Sequence, residues 1–201
     1  MSHAQAETTL VLLRHGPTAW NEAGRIQGRS DQPLSDAGRR EVKRWRLPSG
    51  FDRYDWVTSP LIRAFETAVL LGHPEATPVP ALTEMDWGDW EGATLATLRH
   101  ADPTGMAENE ARGRDFRPAA GESPRDLQNR LRPWLSACAA EGRALTAVCH
   151  KGVIRALYAL AADWDMTGPA ADKLRDGCCH EFALSADGHP RVVRLNQPLV
   201  P

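Results

Sequence analysis

The sequence predicts an α/β protein built on a largely parallel sheet. Short apolar runs of strand length alternate along the chain with longer segments that carry helix start and stop signals. Two of these helical segments follow a Ser-Pro pair, which places a preferred N-cap before a proline at the first helical position. Polar residues suited to chemistry follow the apolar runs directly, where open parallel sheets bind their ligands.

The first predicted strand, residues 10–13, leads directly into the tripeptide Arg14-His15-Gly16. Four consecutive apolar residues are enough for a buried strand. Gly16 lets the backbone pass close to whatever His15 contacts. A strand that ends in a solvated Arg-His pair has the same local pattern, so the interpretation depends on the residues that accompany it.

The next predicted elements are a helix over 35–46, a short strand at 56–57 and a helix over 59–72. Ser59 is the expected N-cap of the second helix. Arg63 then lies in the first turn of that helix, where backbone N–H groups and the helix dipole favour an anion.

The middle of the chain contributes a carboxyl group and a lid. Residues 77–80 predict a short extended segment, and Glu84 follows it closely. Residues 93–121 are polar with few apolar anchors, which indicates an excursion and not a second domain. We therefore expect one domain over residues 1–201, with a polar lid at about 85–122.

The last third of the chain predicts two helices, a strand and a hairpin. A helix is expected over 123–140, a strand over 145–149, and a further helix that ends near residue 162. His150 follows that strand directly. The chain then predicts a hairpin within 181–195, with its turn at an Asp-Gly pair.

Composition excludes several classes of protein. The 201 residues include 24 Lys+Arg and 26 Asp+Glu, for a formal charge of −2, so the basic excess of a nucleic-acid-binding protein is missing. No apolar run approaches the length of a membrane span, and the first residues do not resemble a signal peptide. Four cysteines without CxxC or zinc spacing predict a reducing, cytoplasmic location.

A parallel sheet would bring five polar side chains to one edge. Two arginines there suit a phosphate dianion, and phosphoryl transfer needs little more than positioning, charge stabilisation and a nucleophile. The five residues are Arg14, His15, Arg63, Glu84 and His150.

Each of the other three residues suits a different part of that chemistry. His15 is the better nucleophile, because the flanking arginines disfavour its protonation and leave a free lone pair. His150, next to backbone N–H groups at a helix N-terminus, suits stabilisation of the transferring phosphoryl oxygens. The pKa of Glu84 should rise near a bound phosphate, which suits a general acid.

An ordered series of motifs accompanies these residues and resembles the histidine phosphatase superfamily, with its phosphoglycerate mutase-like fold. The resemblance spans residues 10–159 and implies a three-layer α/β/α sandwich with a mostly parallel sheet. The motifs are Arg14-His15-Gly16, Asn21, Gly24-Arg25, Gln27-Gly28, Pro33-Leu34-Ser35, Ser59-Pro60-Leu61, Arg63-Ala64, Glu84, Trp90-Glu91-Gly92, Gly121-Glu122-Ser123 and His150.

The resemblance also implies roles for individual residues. His15 would be the phosphohistidine nucleophile and Glu84 the proton donor of a phosphoric monoester hydrolase that acts on a small phosphorylated metabolite. No metal and no cofactor are implied, and the protein could be a monomer or a homodimer. The implied phosphate pocket is Arg14, Arg63, His150, Asn21, Gln27 and Gly28.

The sequence departs from the family pattern at Lys151, where a small residue usually follows the second histidine. Lys151 either adds a charge for the substrate or points outward, and the outward orientation is favoured. The predicted lid contains three arginines, Arg112, Arg114 and Arg117. They either bind a second anionic group or form a solvated face, and the solvated face is favoured.

Three other functions remain open. Cys149 and Arg155 have the Cys-x5-Arg spacing of cysteine phosphatases. A cysteine mechanism would assign no role to Arg14, His15, Arg63 and Glu84. A phosphoglycerate mutase is a second alternative, but the stretch between Glu84 and His150 is too short for the basic insertion of such mutases. A non-catalytic phospholigand binder is the third, and the presence of both His15 and Glu84 disfavours it.

Overall fold

The computed structural model describes residues 7–199, which contain a six-stranded sheet with helices on both faces. The strands follow the order β3-β2-β4-β1-β5-β6 across the sheet, in which the first four are parallel to one another and β5 is antiparallel to both of its neighbours. The predicted α/β class with a mostly parallel sheet is confirmed. The strands are β1 (Thr8–Arg14), β2 (Asp55–Thr58), β3 (Thr77–Pro78), β4 (Leu145–Cys149), β5 (Cys178–Leu184) and β6 (Pro190–Pro198).

Two separate hydrophobic clusters cover the two faces of the sheet and give the three layers. One cluster joins the sheet to α6 and α7, and the other joins it to α2 and α3. The α-helices of the described chain are α1 (Ala19–Glu22), α2 (Asp36–Val42), α3 (Ile62–Leu70), α4 (Leu95–Ala101), α5 (Pro103–Glu110), α6 (Pro124–Glu141) and α7 (Lys151–Ala161).

Strand β1 anchors both clusters because it lies in the interior of the sheet. Leu10 and Leu12 pack into the cluster beneath α6 and α7, whereas Val11 and Leu13 pack into the opposite one. All four side chains are fully buried, and each contributes roughly 1.5–3 kcal/mol of hydrophobic stabilisation. The buried strand fixes the direction in which residues 14–16 leave the sheet.

Two predicted helix boundaries are wrong. Helix α2 ends at Val42 and not at 46, because the backbone tightens so that Trp45, which bonds back to Val42 at 3.0 Å, is buried in the core. Helix α3 begins at Ile62 with Leu61 as N-cap, so Ser59 is not the cap. The Ser59 hydroxyl lies 2.7 Å from Nε2 of His150 and accepts the Leu61 N–H at 3.3 Å.

The C-terminal elements agree with the prediction more closely. Helices α6 and α7 lie within about two residues of their expected bounds, and a capping box at Ser123 starts α6. The hairpin is present with longer strands than expected. The predicted lid, 85–122, contains α4 and α5, which the sequence analysis did not anticipate. No helix within residues 7–199 has the length and apolar character needed to cross a membrane.

Candidate active site

The carboxyl edge of the parallel strands opens into a cavity of about 550 Å³. His150 does not line this cavity: it is fully buried behind His15, with the two imidazole centroids 5.1 Å apart. The other eight candidate residues line the cavity and are Arg14, His15, Asn21, Gln27, Gly28, Arg63, Glu84 and Lys151.

His15 is held in one tautomer by the backbone. Its Nδ1 lies 2.7 Å from the Gly16 carbonyl oxygen, and since a carbonyl only accepts, Nδ1 carries the proton and Nε2 keeps a lone pair. Burial is the main cause that lowers the pKa of His15 well below its ordinary value, and Arg14 and Arg63 add to it. The imidazole is therefore neutral at physiological pH. Burial lowers its pKa more than the two arginines do, although the sequence pointed only to the arginines.

The loop after β1 is fixed through Thr67. The Gly16 N–H donates to the Thr67 hydroxyl at 3.0 Å, and that hydroxyl donates to the Arg63 carbonyl oxygen at 2.7 Å. A side chain at position 16 would collide with Val42, so glycine is required for this close approach. The two hydrogen bonds couple the His15 loop to the first turn of α3.

Arg63 is buried, and its side chain is oriented by two backbone carbonyls. Its terminal nitrogens donate to Gly28 at 2.7 Å and to Ser30 at 3.0 Å, while Nε is buried without a hydrogen-bond partner. Burial lowers the pKa of the guanidinium from its ordinary value, and nearby carboxylates only partly oppose that effect. Within residues 7–199 no carboxylate forms a direct ion pair with Arg63, so this guanidinium is a preorganised cation of the cavity.

Arg14 and Lys151 share one acidic neighbour, Asp176. The Arg14 guanidinium donates to the Asp176 carboxylate at 2.8 Å, and the Lys151 ammonium lies 3.9 Å from the other oxygen. The Arg14 Nε is buried without a partner. Lys151 lies at the cavity rim with 52% of its side chain exposed, so it is neither in the floor of the pocket nor directed away from the cavity.

Glu84 is bound by two backbone amides. Its carboxylate oxygens accept from Met85 at 2.8 Å and from Gly152 at 3.1 Å, and a side chain on Gly152 would overlap with the carboxylate. Burial raises the pKa of Glu84 above its ordinary value, and the two amides and the nearby arginines only partly oppose that effect. The pKa is thus raised even without a bound phosphate, for a reason not visible in the sequence.

His150 is the N-cap residue of α7, and one of its ring nitrogens has no partner. Its Nε2 lies 2.7 Å from the Ser59 hydroxyl, and its Nδ1 is buried without a hydrogen bond. Burial, followed by the charge of Arg63, lowers the pKa of His150 well below its ordinary value. The ring is therefore neutral, and one nitrogen remains able to bond a group that enters the site.

Asn21 and Gln27 are oriented by hydrogen bonds to Thr18. The Thr18 N–H donates to the Asn21 amide oxygen at 3.1 Å, which leaves the amide NH₂ of Asn21 available as a donor at the cavity wall. The Thr18 hydroxyl donates to the Gln27 amide oxygen at 2.8 Å. Both side chains thus present their donor ends for other contacts.

Two residues that hold the site in place were not identified as such from the sequence. Glu91 accepts from the backbone N–H groups of Arg29 and Ser30 at 2.7 and 2.8 Å, and thereby shapes the loop next to Gly28. The Trp-Glu-Gly motif that contains Glu91 was the sequence feature that could have indicated this role. Arg130 donates to the Glu84 carbonyl oxygen at 3.1 Å from α6, and no local pattern in the sequence reveals that contact.

Segment 85–122 lines part of the cavity through Trp87, Leu95 and Phe116. Trp87 and Phe116 pack edge to face with ring centroids 5.7 Å apart. None of the arginines at 112, 114 and 117 lines the cavity, and Arg117 donates to the Gly121 carbonyl oxygen at 3.0 Å. These three arginines do not grip a second anionic group in the cavity.

Cys149 has an environment unsuited to a nucleophile. The thiol is fully buried in the hydrophobic core and does not line the cavity. Burial raises the pKa of the thiol above its ordinary value, which disfavours the thiolate that a cysteine phosphatase needs. The Cys149 backbone, by contrast, accepts the His15 N–H at 3.0 Å and supports the loop.

Replacing Cys149 with alanine should leave kcat for phosphate ester hydrolysis essentially unchanged. Cys149→Ser should also be active, with a loss of stability of roughly 1–3 kcal/mol because a hydroxyl would be buried. Thermal melting and steady-state kinetics below the melting temperature separate the two effects. A folded Cys149→Ala protein without activity would support the thiolate mechanism.

No group of three or more His, Cys, Asp or Glu residues within the described part of the chain is arranged to hold a metal ion. The site thus consists of arginines, neutral histidines and a carboxyl group with a raised pKa. A parallel α/β sheet that gathers these groups at or directly behind one cavity defines an enzyme of phosphoryl transfer. Residues 10–198 match the model of the histidine phosphatase superfamily (branch 1), and the chain belongs to that superfamily.

Named relatives indicate the kind of reaction. The chain is 35% identical over 170 residues to a glucosyl-3-phosphoglycerate phosphatase of Mycolicibacterium vanbaalenii, which covers 75% of this chain and 72% of the relative. It is 31% identical over 160 residues to a metal-independent phosphoserine phosphatase of Arabidopsis thaliana, which covers 75% and 67%.

A solved structure extends the similarity to the whole fold. The complex of a mycobacterial glucosyl-3-phosphoglycerate phosphatase with inorganic phosphate superimposes with a TM-score of 0.79 at 26% identity, covering 96% of this chain and 98% of that one. Together with the family match, these similarities confirm the predicted superfamily, the fold and the enzyme class of phosphoric monoester hydrolase.

Proposed function

We propose that this protein hydrolyses small phosphate monoesters without a metal, through a phosphohistidine formed on Nε2 of His15. The observation that carries this proposal is the 2.7 Å hydrogen bond from Nδ1 to the Gly16 carbonyl. That bond leaves Nε2 as the atom with a free lone pair, and the lowered pKa keeps it unprotonated. It also remains in place to stabilise the positive charge of the phosphorylated ring.

In the proposed complex the phosphoryl group lies between Arg14 and Arg63. The unpartnered Nε of each arginine supports this position, because a phosphoryl oxygen would supply the missing acceptor. His150 would donate from its unpartnered Nδ1 while Nε2 accepts from the Ser59 hydroxyl. Further donors are Asn21, Gln27 and the backbone at Gly28.

The chemical steps then need one acid that later serves as a base. His15 Nε2 attacks phosphorus, the bond to the ester oxygen breaks, and the Glu84 carboxyl gives its proton to that departing oxygen. In the second step a water molecule attacks phosphorus, the N–P bond breaks, and the Glu84 carboxylate takes a proton from the water. Inorganic phosphate leaves, and both side chains return to their starting forms.

We also propose a domain organisation, a class of partner and a cellular location for the enzyme. Residues 1–201 would form one histidine phosphatase domain in which 85–122 is the lid over a small phosphorylated metabolite. Nucleic acids and membranes are not expected partners, in line with the formal charge of −2. The four cysteines are all buried and unpaired, which fits a reducing cytoplasm.

Purified protein dialysed against a strong chelator should release inorganic phosphate from a panel of small phosphate monoesters. The panel should include alkyl, sugar and aryl esters, and phosphate should appear at the same rate before and after dialysis. Metal independence is expected because arginine side chains and backbone donors, and not a metal ion, stabilise the phosphate charge. The name of the Arabidopsis relative agrees with this expectation.

Two results would contradict the proposal. One is activity that disappears on chelation and returns with Mg²⁺ or Zn²⁺. The other is transfer of the phosphoryl group to a second hydroxyl in preference to water, which is the outcome expected of a mutase and is measured by including an alcohol acceptor in the reaction.

A further inference from the structure

Arg155 is a cation of the cavity wall that has no acidic partner. It lies on α7 one turn beyond Lys151, and helical side chains at this spacing share a face. Within residues 7–199 no carboxylate forms a salt bridge with it and no hydrogen bond engages its guanidinium. Other cations of the same wall are paired, Arg14 with Asp176 at 2.8 Å and Arg99 with Glu110 at 2.6 Å.

The surroundings of Arg155 hold the guanidinium in position. Its central carbon lies 5.2 Å from the ring centroid of Trp164, within the range of a cation–π contact. The indole N–H of Trp164 donates to the Thr167 carbonyl oxygen at 3.3 Å, and Met166 lines the cavity beside it. The residue as a whole is exposed to solvent. Partial burial of its guanidinium lowers the pKa of Arg155 from its ordinary value. An aromatic face supports this cation and leaves its hydrogen-bond donors free.

The charges of the cavity exceed what a phosphoryl group requires. Arg14 and Arg63 are enough to bind a phosphate dianion at the His15 end. Arg155 lies on α7 beside Trp164, and the residues that follow Trp164 pack against Gly113. Met166, Gly113 and Phe116 line the cavity together with Arg155. A second anionic group on the leaving-group side of the substrate would pair with it. A single guanidinium with a planar fork matches a carboxylate in charge and in geometry.

We infer that Arg155 binds a carboxylate of the substrate, so that the preferred substrates are phosphate monoesters of hydroxy acids. This inference rests on the proposed function, since it concerns the leaving group of the same reaction. It makes Arg155 a determinant of specificity that acts on the half of the substrate away from His15. The phosphoryl chemistry itself does not depend on it.

A series of matched substrates tests the inference. Phosphooxy carboxylates of two, three and four carbons are compared with phosphooxy alcohols of the same lengths, and p-nitrophenyl phosphate serves as an ester without a carboxylate. Wild-type kcat/KM should favour the carboxylate at one or more chain lengths. Arg155→Gln should reduce that preference by about tenfold to a hundredfold, the range for a charge-assisted hydrogen bond, and leave the aryl ester unaffected.

Two other variants locate the effect. Arg112→Gln removes an exposed arginine outside the cavity and should retain the full preference. Arg25→Gln removes another cavity arginine that forms no ion pair within residues 7–199, and it should retain most of the preference. Equal kcat/KM for acids and alcohols in the wild type, or a preference that persists in Arg155→Gln and disappears in Arg25→Gln, would overturn the inference.

Equilibrium binding separates this inference from the proposed function. Calorimetry with 3-phosphonopropanoate and 3-hydroxypropylphosphonate, which cannot be hydrolysed, should show tighter binding of the acid to the wild type but not to Arg155→Gln. If the protein released no phosphate from any ester, the proposed function would fail while this comparison still decided the carboxylate site. Equal affinity of the two phosphonates would contradict that site directly.

Discussion

Replacing His15 with asparagine should lower kcat/KM for every phosphate monoester by a factor on the order of 10⁴ or more, the scale seen when an enzyme loses its nucleophile. The asparagine amide can still donate to the Gly16 carbonyl, which His15 holds at 2.7 Å, so the loop should keep its shape. His15→Ala should lose as much activity and also leave that buried carbonyl unpaired, at a further cost in stability. Steady-state kinetics and thermal melting of both variants distinguish chemistry from folding.

A matched control for the His15 variants is His100→Asn, which changes an exposed histidine of α4 that does not line the cavity. It should retain wild-type kinetics. A His15→Asn protein with substantial activity on any phosphate monoester would contradict the assignment of the nucleophile.

Replacing Glu84 with glutamine should reduce kcat/KM for a sugar or alkyl phosphate by ~10²–10⁴, the usual contribution of general acid catalysis. An alkoxide is a strongly basic leaving group and needs the proton, whereas p-nitrophenolate leaves as a stable anion. The loss on p-nitrophenyl phosphate should therefore be much smaller. Glutamine loses one of the two backbone hydrogen bonds of the carboxylate, and the aryl ester serves as an internal control for that change in position.

The pH dependence provides an independent check on Glu84. Because burial raises the pKa of this carboxyl group and a bound phosphate raises it further, the protonated acid persists to higher pH than for an exposed glutamate. The rate for an alkyl ester should fall as pH rises through that pKa, since the acid is then lost. This alkaline decline should be absent in Glu84→Gln.

Equal losses for alkyl and aryl esters in Glu84→Gln would mean that Glu84 only binds or orients the substrate. The nearby carboxylates offer no ready replacement. Glu91 accepts from the backbone of Arg29 and Ser30, Asp86 lies 3.3 Å from the Arg29 guanidinium, and neither lines the cavity.

The sequence was sufficient to predict which residues meet at the sheet edge. Apolar runs before Arg14 and before His150 indicate buried strands, and parallel strands carry whatever follows them to the same edge. The same topology places Arg63 and Glu84 at this edge, because β2 and β3 run parallel to the other two strands. To predict that these side chains meet, it was enough to know where the strands lie and that they are parallel, and local sequence patterns indicate both.

The details that tune the site could not be predicted, because they depend on contacts between distant segments. The hydrogen bond from the Gly152 N–H to the Glu84 carboxylate joins residues 68 positions apart, and the contact between Arg14 and Asp176 spans 162 positions. Helix α3 begins at Ile62, later than expected, and the contact of Ser59 with His150 joins residues 91 positions apart. Whether Arg155 has a partner can be judged only once the folded cavity is known.

Direct detection of the phosphorylated enzyme tests the central claim. Wild-type protein is mixed with ³²P-labelled aryl phosphate and quenched within the first turnover, and the label is mapped after proteolysis. The account predicts up to one phosphoryl group per chain on the peptide that contains His15, stable in base, lost in acid and absent from His15→Asn. An acid-stable adduct, or label on any other residue, would contradict it.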